Sequence, residues 1–573
     1  MEFDDALRLL GNFGKYQTIL YLLLTYGYYM AGFILMGMIF IGGTPQGYHC
    51  TPPPGFSANE TVPGFGEPDV VDSCHMYEVL NGTVTDNKIG CIYGWDYQAA
   101  DDDVTYVMDF NLVCDDAVFA KLAKSVLIAG VMAGSITSGQ VSDLVGRKVV
   151  LHVSFLADAI CGIAMTLVGN YNGFLVFYFL FGFFQQGVLN SSYIMIAEMF
   201  SPESRAMATS MTSVVWGVAA SLVAPVAFLF RNWKHYQLFI SLLHLVGLSM
   251  WWIIPESNRW LISRGRIDEA ERNLHKIAKF NGIDAPKHFL SENVILSKIE
   301  TQDPKKQTPH VSVGYELIAQ EEPQENGHVD QIEHTVSKTR PKRYNMIHVI
   351  TSRILLRFFL IMAFCWFTNG IYYYGLSLNS ALLKGNKYLN VFLGCWIELP
   401  SGIVTVLALK WMGRRPALSG SFILGGICCF AIAFLPNYTD SGLDLTPVII
   451  TVATIGKFWA SFSFSMVYVY LPEIMPTVIR QVTLGGGSFS ARIGAVLAPF
   501  LIFLGDFHDY LPMTILGILA VTAGIICLSL PETRNRALPD TIQEGEAFCK
   551  QNHFLPNCRK RFPPKVKDDD PYL

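Results

Sequence analysis

The sequence predicts an all-α membrane protein with twelve transmembrane helices, arranged as two pseudo-symmetric halves of six helices each. Its 573 residues are 51% apolar and only 16% charged, whereas soluble proteins carry about 25% charged residues. Twelve apolar segments have roughly the 20 residues that a helix needs to cross the hydrocarbon core. Because lipid cannot satisfy an open backbone, we expect helices. Motifs that follow the second, fourth and sixth segments return after the eighth, tenth and twelfth, which indicates two halves.

The first apolar segment is predicted to be a spanning helix and not a signal peptide. It is too long for the apolar region of a signal peptide, and acidic Glu2, Asp4 and Asp5 stand where a basic region would be. We therefore expect its N-terminus to stay in the cytosol. The twelve predicted segments lie at 17–41, 119–140, 149–168, 172–195, 207–230, 237–254, 354–376, 388–409, 417–435, 446–470, 482–504 and 511–530.

The basic residues of the short loops predict the orientation in the membrane. Arginine and lysine favour the cytosolic loops of membrane proteins, and an even number of spans returns the C-terminus to the cytosol. The short cytosolic loops would contain Arg147, Lys148, Arg205, Lys410, Arg414, Arg415 and Arg480. The short outer loops would contain Arg231, Lys234, Lys384 and Lys387.

The hydrophilic stretch 43–117, between the first two segments, has the features of an extracellular loop. It holds two glycosylation acceptors, at Asn59 and Asn81. Four cysteines in the same stretch predict two disulfides in an oxidising compartment, with three possible pairings; free thiols are the alternative. These cysteines are Cys50, Cys74, Cys91 and Cys114.

A second hydrophilic stretch separates the sixth segment from the seventh. Its part 264–272 has a charged helical pattern, whereas 302–343 is rich in Lys, Glu, Gln and Pro and is predicted to be a disordered linker. The predicted organisation is an N-terminal half at 1–254, a cytosolic central loop at 255–350, a C-terminal half at 351–530 and a cytosolic tail at 531–573.

The repeated motifs lie at nearly constant spacing. The offsets between matching elements are 267, 275 and 276 residues. Repeated halves in a membrane protein indicate alternating access, with a binding site between the halves near the midplane. The matching elements are Gly146-Arg147 with Gly413-Arg414, the pair Glu198 and Arg205 with the pair Glu473 and Arg480, and Pro255-Glu256 with Pro531-Glu532.

These motifs carry charges that suit gates on the cytosolic face. Charge clusters can bias two packings that differ by a few kcal/mol. The alternative is that the basic residues only anchor the topology. The predicted gating residues are Asp143, Arg147, Glu198, Arg205, Arg414, Arg415, Glu473 and Arg480.

Several motifs together point to one family. They are Asn111-Leu112-Val113-Cys114, the turn 139–148, Pro255-Glu256-Ser257, Tyr373-Tyr374-Gly375-Leu376, Glu398-Leu399-Pro400 and the stretch from Glu473 to Arg480. Over nearly its whole length the chain resembles the organic cation, carnitine and organic anion transporter family (solute carrier family 22) of the major facilitator superfamily. The resemblance implies the superfamily fold and plasma-membrane uptake or exchange of small organic ions.

Arg492 is the principal candidate for substrate binding, because charges inside spans are functional hypotheses by default. It lies in the Gly/Ser-rich stretch 485–494, whose small residues allow close helix approach. Inside the bundle it could hold a carboxylate bidentately; a permanent ion pair with Glu398 is the alternative. The resemblance implies a zwitterion or anion leaning, because this position is acidic in cation carriers and arginine in anion and carnitine carriers. Gly402 departs from the anion carriers, which resemble one another in having lysine there.

Lys457 and four aromatic residues complete the predicted substrate site. Lys457 lies sixteen residues before Glu473, about 24 Å along a helix, and resembles a lysine of anion and carnitine carriers; snorkelling to the outer interface is the alternative. The aromatic residues match family positions that line the cavity, and their rings can face a quaternary ammonium; packing against lipid is the alternative. They are Tyr373, Tyr374, Phe464 and Tyr468.

The sequence also argues against several functions. It has no ATP-binding Gly-x-x-x-x-Gly-Lys-Ser/Thr loop, no metal-ligand cluster and no nucleophile constellation. We therefore expect no enzyme, no cofactor, no bound metal and no nucleic-acid partner. The expected partners are the lipid bilayer, a small organic ion, and either a coupling ion (Na⁺ or H⁺) or a counter-substrate. The competing functions are an organic anion exchanger, a sugar carrier of the same superfamily, and a membrane receptor that does not transport.

Overall fold

The computed structural model is a bundle of twelve long helices, with a small β-rich loop on one side and short helices on the other. We call the side of residues 43–117 the outer side and the opposite side the inner side. Each predicted apolar segment coincides with one of the twelve helices. The structure describes residues 3–11, 13–45, 47–65, 71–80, 82–98, 103–284, 286, 288–290, 346–436, 438, 443–476, 478–534, 539 and 542–551.

We label the long helices α1 to α12 in chain order. Ten of them are long and apolar enough to cross a membrane, and the other two, α6 and α12, have 17 residues each. Their bounds are α1 Lys15–Ile41, α2 Ala117–Val145, α3 Arg147–Leu167, α4 Tyr171–Met199, α5 Pro202–Leu229, α6 Trp233–Ser249, α7 Arg353–Ser380, α8 Lys387–Trp396 with Glu398–Trp411, α9 Arg414–Phe434, α10 Thr446–Ile474, α11 Arg480–Phe503 and α12 Leu511–Cys527.

Helix α8 consists of two segments that meet at Ile397. The break follows from Pro400, which has no N–H to donate to the carbonyl oxygen of Trp396, the bond that a continuous helix would make. The second segment therefore starts at Glu398. Its carboxylate lies at a helix N-terminus, where the free N–H groups and the helix dipole favour negative charge.

Glycines set the closest helix contacts within each half. A Cβ on Gly130 of α2 would lie 2.1 Å from the carbonyl oxygen of Phe179 in α4. A Cβ on Gly370 of α7 would lie 1.9 Å from the carbonyl oxygen of Ala491 in α11. Only glycine allows backbones to approach this closely. The second contact brings α11, and with it the neighbouring Arg492, against α7.

The two halves meet on the outer side. The first segment of α8 packs against α5, and α11 packs against α2. The Ser125 hydroxyl of α2 donates to the carbonyl oxygen of Val496 in α11 at 2.7 Å. Asp103, just before α2, pairs with Lys387 and accepts a 2.7 Å hydrogen bond from the Tyr388 hydroxyl. These contacts close the outer end of the space between the halves.

The outer loop contains two antiparallel hairpins. Strand β1 (Gly47–Cys50) pairs with β4 (Trp95–Gln98), and β2 (His75–Leu80) pairs with β3 (Thr83–Gly90). Disulfides join Cys50 to Cys91 and Cys74 to Cys114, which is one of the three pairings that the sequence left open.

Of the two glycosylation acceptors, only Asn59 lies in the described part of the structure. Asn59 is exposed in a short helix, Ala58–Thr61, whereas Asn81 lies outside the described residues. Nearby, burial raises the pKa of the Asp72 carboxyl, but hydrogen bonds from His75, Lys88 and the Cys74 amide outweigh burial and leave the pKa below its usual value.

Short helices cover the inner side of the N-terminal half. The helix Ile267–Asn281 packs against Asn258–Ser263 and against the N-terminal helix Phe3–Leu9. At its end, Asn281 donates to the carbonyl oxygen of Leu10 at 3.1 Å and accepts from the backbone N–H of Tyr16 at 3.0 Å. The N-terminus and the start of the central loop therefore lie on one side. The predicted linker 302–343 falls outside the described residues.

Candidate substrate site and inner charge clusters

A buried ion pair lies at the centre of the C-terminal half. Lys457 of α10 and Glu398 of α8 are 4% and 6% exposed. The Lys457 Nζ lies 3.4 Å from Glu398 Oε1, and the Tyr373 hydroxyl of α7 donates to the same oxygen at 2.7 Å. The outer-interface position that was the alternative for Lys457 is not observed, because the ammonium group points into the protein.

Tyr373 connects this ion pair to the N-terminal half. The Lys457 Nζ lies 3.2 Å from the centre of the Tyr373 ring and donates to the Tyr373 carbonyl oxygen at 3.3 Å. The Ser377 hydroxyl is a further partner of the same ammonium. In turn, the Trp216 Nε1–H of α5 donates to the Tyr373 hydroxyl at 3.2 Å. One hydrogen-bonded chain therefore runs from α10 through α7 and α8 to α5, across the interface between the halves.

Arg492 of α11 is different, because it forms no hydrogen bond or ion pair with any residue that the structure describes. It is half-buried, and its Nε is buried without an acceptor. The ion pair with Glu398 is not formed, since Tyr373 and Lys457 occupy that carboxylate. Arg492 acts electrostatically on the Tyr374 phenol. It is thus a guanidinium beside the aromatic surface without a protein anion on it.

The aromatic residues form one continuous surface. Ring centres are 5.4 Å apart for Tyr373 and Phe464, and 5.7 Å apart for Phe464 and Tyr468. Tyr374 joins through Tyr373 at 5.3 Å. Tyr468 lies six residues before the end of α10 and is 42% exposed. Its phenol lies near those of Tyr28 and Tyr193 of the N-terminal half, so this surface faces the space between the halves.

The inner end of the N-terminal half carries a cluster around Arg147. Its Nη2 donates to Asp143 at 2.7 Å and to Glu198 at 3.2 Å. The Glu256 carboxylate accepts the backbone N–H groups of Arg147 and Lys148 at 3.0 and 3.1 Å, and so caps the start of α3. Gly146 permits this geometry, because its φ is +111° and a Cβ would lie 2.3 Å from Glu256.

The C-terminal half repeats this arrangement. Arg414 donates through Nε and Nη2 to the two oxygens of Glu473, at 2.9 and 3.0 Å. The Glu532 carboxylate accepts the backbone N–H groups of Arg414 and Arg415 at 2.9 and 3.0 Å and caps α9. Gly413, with φ +89°, replaces Gly146. We call the two arrangements the inner clusters.

Each inner cluster joins helices of one half and not the two halves to each other. Arg205 donates to the carbonyl oxygen of Ala197 at 2.8 Å. The Nε and Nη2 of Arg480 are buried without an acceptor in the described part of the chain. Arg415 contributes its backbone N–H. A gating role for these residues therefore remains a prediction.

Sequence reasoning missed several polar residues of the bundle. No sequence pattern marks Trp216 as a site residue, because tryptophans are common in apolar helices. Asp158 is an acid within the third segment and is detectable by the rule that selected Arg492, yet it was not singled out. His244, which lies 3.7 Å from Asp158, was missed as well. Within α4, the Gln186 amide donates to Asn190 Oδ1 at 2.6 Å, and the Asn190 amide donates to the Ser138 hydroxyl of α2 at 2.8 Å, which is a contact between helices.

Comparison with known proteins identifies the family. Residues 116–499 match the family model described as Major Facilitator Superfamily. The chain is also 30% identical to "Organic cation transporter protein" of Drosophila melanogaster over 561 residues, which cover 96% of both chains. The chain belongs to solute carrier family 22, the organic cation and carnitine transporters of this superfamily. It is therefore a multi-pass membrane transporter, and the prediction that it is not an enzyme is confirmed.

Other relatives span almost the same length. The chain is 29% identical to "Solute carrier family 22 member 21" of Mus musculus, covering 99% of this chain and 97% of that protein. It is 29% identical to "Organic cation/carnitine transporter 2" of Rattus norvegicus, with 95% and 94% covered. Among solved structures, the inward open conformation of the xylose transporter XylE from E. coli has a TM-score of 0.58 at 14% identity, covering 93% of this chain and 99% of that one. The predicted superfamily fold is thereby confirmed.

Proposed function

We propose that this chain moves small zwitterions, organic cations that also carry a carboxylate, across the plasma membrane by alternating access. The observation that carries the proposal is Arg492, a half-buried guanidinium with no anion from the described residues, next to a continuous aromatic surface. The names of the relatives, organic cation and organic cation/carnitine transporters, agree with this substrate class.

The charges of the site favour a carboxylate-bearing substrate. Glu398 and Lys457 neutralise each other, so Arg492 leaves the site with one net positive charge. A charge in this low-dielectric position is stabilised by a counter-ion, and a substrate carboxylate provides one that arrives and leaves in each cycle. The planar guanidinium can bind a carboxylate through two parallel hydrogen bonds.

The aromatic surface would recognise the cationic part of the substrate. The Phe464 and Tyr468 rings lie next to each other, with centres 5.7 Å apart, and a quaternary ammonium is attracted to aromatic ring faces. A substrate with both groups would bridge Arg492 and these rings. A simple cation would engage the rings alone and would meet the repulsion of Arg492.

The arrangement of the halves supports alternating access from the inner side. The outer end is closed by the contacts of Asp103 and Ser125, while Tyr468, toward the inner end of α10, remains exposed. We take the inner side, with the helices Phe3–Leu9 and Ile542–Gln551 and the basic loops, as the cytosol. The disulfides and the exposed Asn59 support an extracellular outer loop and hence a plasma-membrane location.

An organic anion exchanger is the second candidate, favoured by Arg492 itself. It has less support, because Lys457 is paired with Glu398 and is not a second free cation. Gly402 leaves the helix without the lysine expected of anion carriers.

Uptake measurements in oocytes with three radiolabelled probes test the proposal: carnitine as a zwitterion, tetraethylammonium as a cation and benzoate as an anion. We expect carnitine to be preferred. Arg492→Lys should weaken carnitine uptake about 10- to 100-fold in KM, because losing charged hydrogen bonds costs about 1.5–3 kcal/mol. Tetraethylammonium uptake should not fall.

Arg353→Lys is the matched control, since Arg353 is exposed at the start of α7. Surface biotinylation normalises each variant to the amount at the membrane. An unchanged carnitine KM in Arg492→Ala, at normal surface amounts, would exclude the proposed role of Arg492. Preference for benzoate over carnitine would support the anion exchanger instead.

A further inference from the structure

A second group of buried polar side chains lies inside the N-terminal half, away from the candidate substrate site. Asp158 of α3 is 0% exposed. His244 of α6, also fully buried, places its Nε2 3.7 Å from Asp158 Oδ2. The Oε1 of Gln185 in α4 lies 3.3 Å from the same Nε2. We call these three residues the buried acid cluster.

The hydrogen bonds of the buried acid cluster leave one proton to be assigned. His244 Nδ1 lies 2.8 Å from the carbonyl oxygen of Ile240, and a carbonyl oxygen only accepts, so Nδ1 carries a hydrogen. A neutral imidazole then has a bare lone pair at Nε2, facing Asp158. Both Asp158 oxygens lack a hydrogen-bond donor in the described part of the chain.

An ionised carboxylate without a donor is strongly disfavoured at this depth. One added proton relieves the conflict, either on Asp158, with its O–H directed at Nε2, or on Nε2, with its N–H directed at Asp158. The Gln185 amide can also be rotated so that its NH₂ group donates to Nε2. In that arrangement no hydrogen-bond donor reaches the carboxylate, and the neutral, protonated form of Asp158 is favoured. Each arrangement holds one more proton than a free carboxylate with a neutral imidazole.

The surroundings provide no other charge to stabilise Asp158. Burial acts most on the carboxyl, followed by the backbone N–H of Gln185, which does not meet hydrogen-bond geometry; no lysine, arginine or second acid of the described chain acts on it. The other titratable neighbours are Cys161 on α3, His152 toward the inner end of α3, and Tyr26 of α1, whose hydroxyl bonds the carbonyl oxygen of Leu243. Thiols and phenols are uncharged near neutral pH.

The fold itself does not need this cluster. The repeat offsets of 267, 275 and 276 residues map Asp158, Gln185 and His244 onto Gly425, Ala460 and Ala520. These three positions are small and buried in the C-terminal half, which has the same architecture. The acid, the amide and the imidazole are therefore an addition to one half, at a place that packs well without them.

The position of the cluster links it to conformational change. Helices α3, α4 and α6 hold it, and the same three helices, or the residues that directly follow them, contribute Arg147, Glu198 and Glu256 to an inner cluster. Helix α4 also carries Tyr193, which faces Tyr468 across the space between the halves. A change of charge at Asp158 therefore acts on helices that belong both to the wall of the substrate space and to the inner cluster.

We infer that Asp158 and His244 form a proton-binding site, in which one proton is held between carboxylate and imidazole and is exchanged as the transporter changes conformation. The inference extends the proposed function by naming H⁺ as the ion that moves with, or regulates, transport. Binding and release are a simple protonation of the pair, with no other bond formed or broken.

Infrared difference spectroscopy of the purified full chain in nanodiscs tests proton binding without any substrate. A pH step should change the C=O band of a protonated carboxylic acid in the unmodified protein. The band should be lost in Asp158→Asn and shifted in His244→Gln. Asp509→Asn, an exposed acid between α11 and α12, is the control that keeps it. An unmodified protein whose difference spectrum shows neither a carboxylic-acid band that Asp158→Asn removes nor an imidazolium band that His244→Gln removes overturns the inference.

Proteoliposome uptake then tests coupling. Carnitine uptake should change with pH, by up to about tenfold per unit, the slope for one required proton, and should be flat in Asp158→Asn. If that variant is unstable, His244→Gln, which removes the imidazole, replaces it. Normal uptake with an unaltered pH profile in the variant used overturns coupling and leaves the proposed substrate class standing. An Asp158 band in a protein that transports none of the three probes supports the site and refutes the proposed function.

Discussion

At the scale of single residues, the central feature is that Glu398 and Lys457 form a matched pair of charges, whereas Arg492 has no ionic partner among the described residues. Glu398 and Lys457 share Tyr373 as a common partner, and neither contacts water freely. Removing one partner of a buried pair strands the other, at a cost of about 3–5 kcal/mol. Arg492, by contrast, meets no anion in the part of the chain that the structure describes, so its removal should alter substrate binding more than folding.

This contrast predicts a double-mutant result. Glu398→Gln and Lys457→Gln should each lower the unfolding free energy of the purified protein by about 3–5 kcal/mol, while the double variant should lose clearly less than the sum. Thermal and denaturant unfolding in detergent measure this. Lys384→Gln, at an exposed lysine, controls for the loss of a lysine. Additive effects of the two single variants would contradict the pairing.

At the scale of secondary-structure elements, glutamates from the ends of two helical stretches cap the starts of two others. Glu256 and Glu532 follow α6 and α12 and accept the first N–H groups of α3 and α9. Anions are favoured there by the free N–H groups and the helix dipole. The positive φ of Gly146 and Gly413 brings each carboxylate into contact with the backbone. These four residues explain why the loop motifs repeat in both halves.

Removing either cap should weaken its own half. Glu256→Ala or Glu532→Ala should each destabilise the protein by about 1–2 kcal/mol, the usual cost of a lost helix cap. The Gln variants, which keep an acceptor oxygen, should lose less. Circular dichroism melts of the purified variants measure the loss. Glu544→Ala, in the exposed part of the helix Ile542–Gln551, is the comparison; equal losses in all of them would argue against specific capping.

At the scale of the whole molecule, the conformation is set by contacts between the halves on the outer side. Asp103 holds Lys387 and Tyr388 at the start of α8, and Tyr388 stacks on Phe40 of α1 at 5.2 Å. A small cavity lies between this closure and the ion pair, lined among others by Ile450 and Lys457. Opening the outer side would connect that cavity to the exterior.

Weakening the closure should shift the population toward an outward-open state. Asp103→Ala should cost the closed state about 1 kcal/mol, because Lys387 is partly exposed and its ion pair is screened; this is a shift of about fivefold. A cysteine introduced at Ile450 should then react faster with an external, membrane-impermeant maleimide. Asp115→Ala, an exposed acid of the same surface, should leave the rate unchanged. Equal rates in both variants would show that Asp103 does not hold the closure.

The sequence by itself determined the twelve spans, the two halves and the family. The length and apolar content of a span depend on the thickness of the hydrocarbon core, and the repeat depends on spacing alone. Both can therefore be read from the order of residues in the sequence. The aromatic residues and the two cations of the candidate site were also accessible, because a charge inside a span is rare enough to be noticed.

Only the tertiary structure decided which of these residues meet. Glu398 could have paired with Arg492 or with Lys457, and the break of α8 before Pro400 together with the register of α10 selects Lys457. The cysteine pairing and the contact of Asp158 with His244, 86 residues apart in sequence, follow from helix and hairpin packing. Spacing along a chain specifies which residues share a helix face, but contacts between helices depend on the rotation and depth of each helix, which packing alone determines.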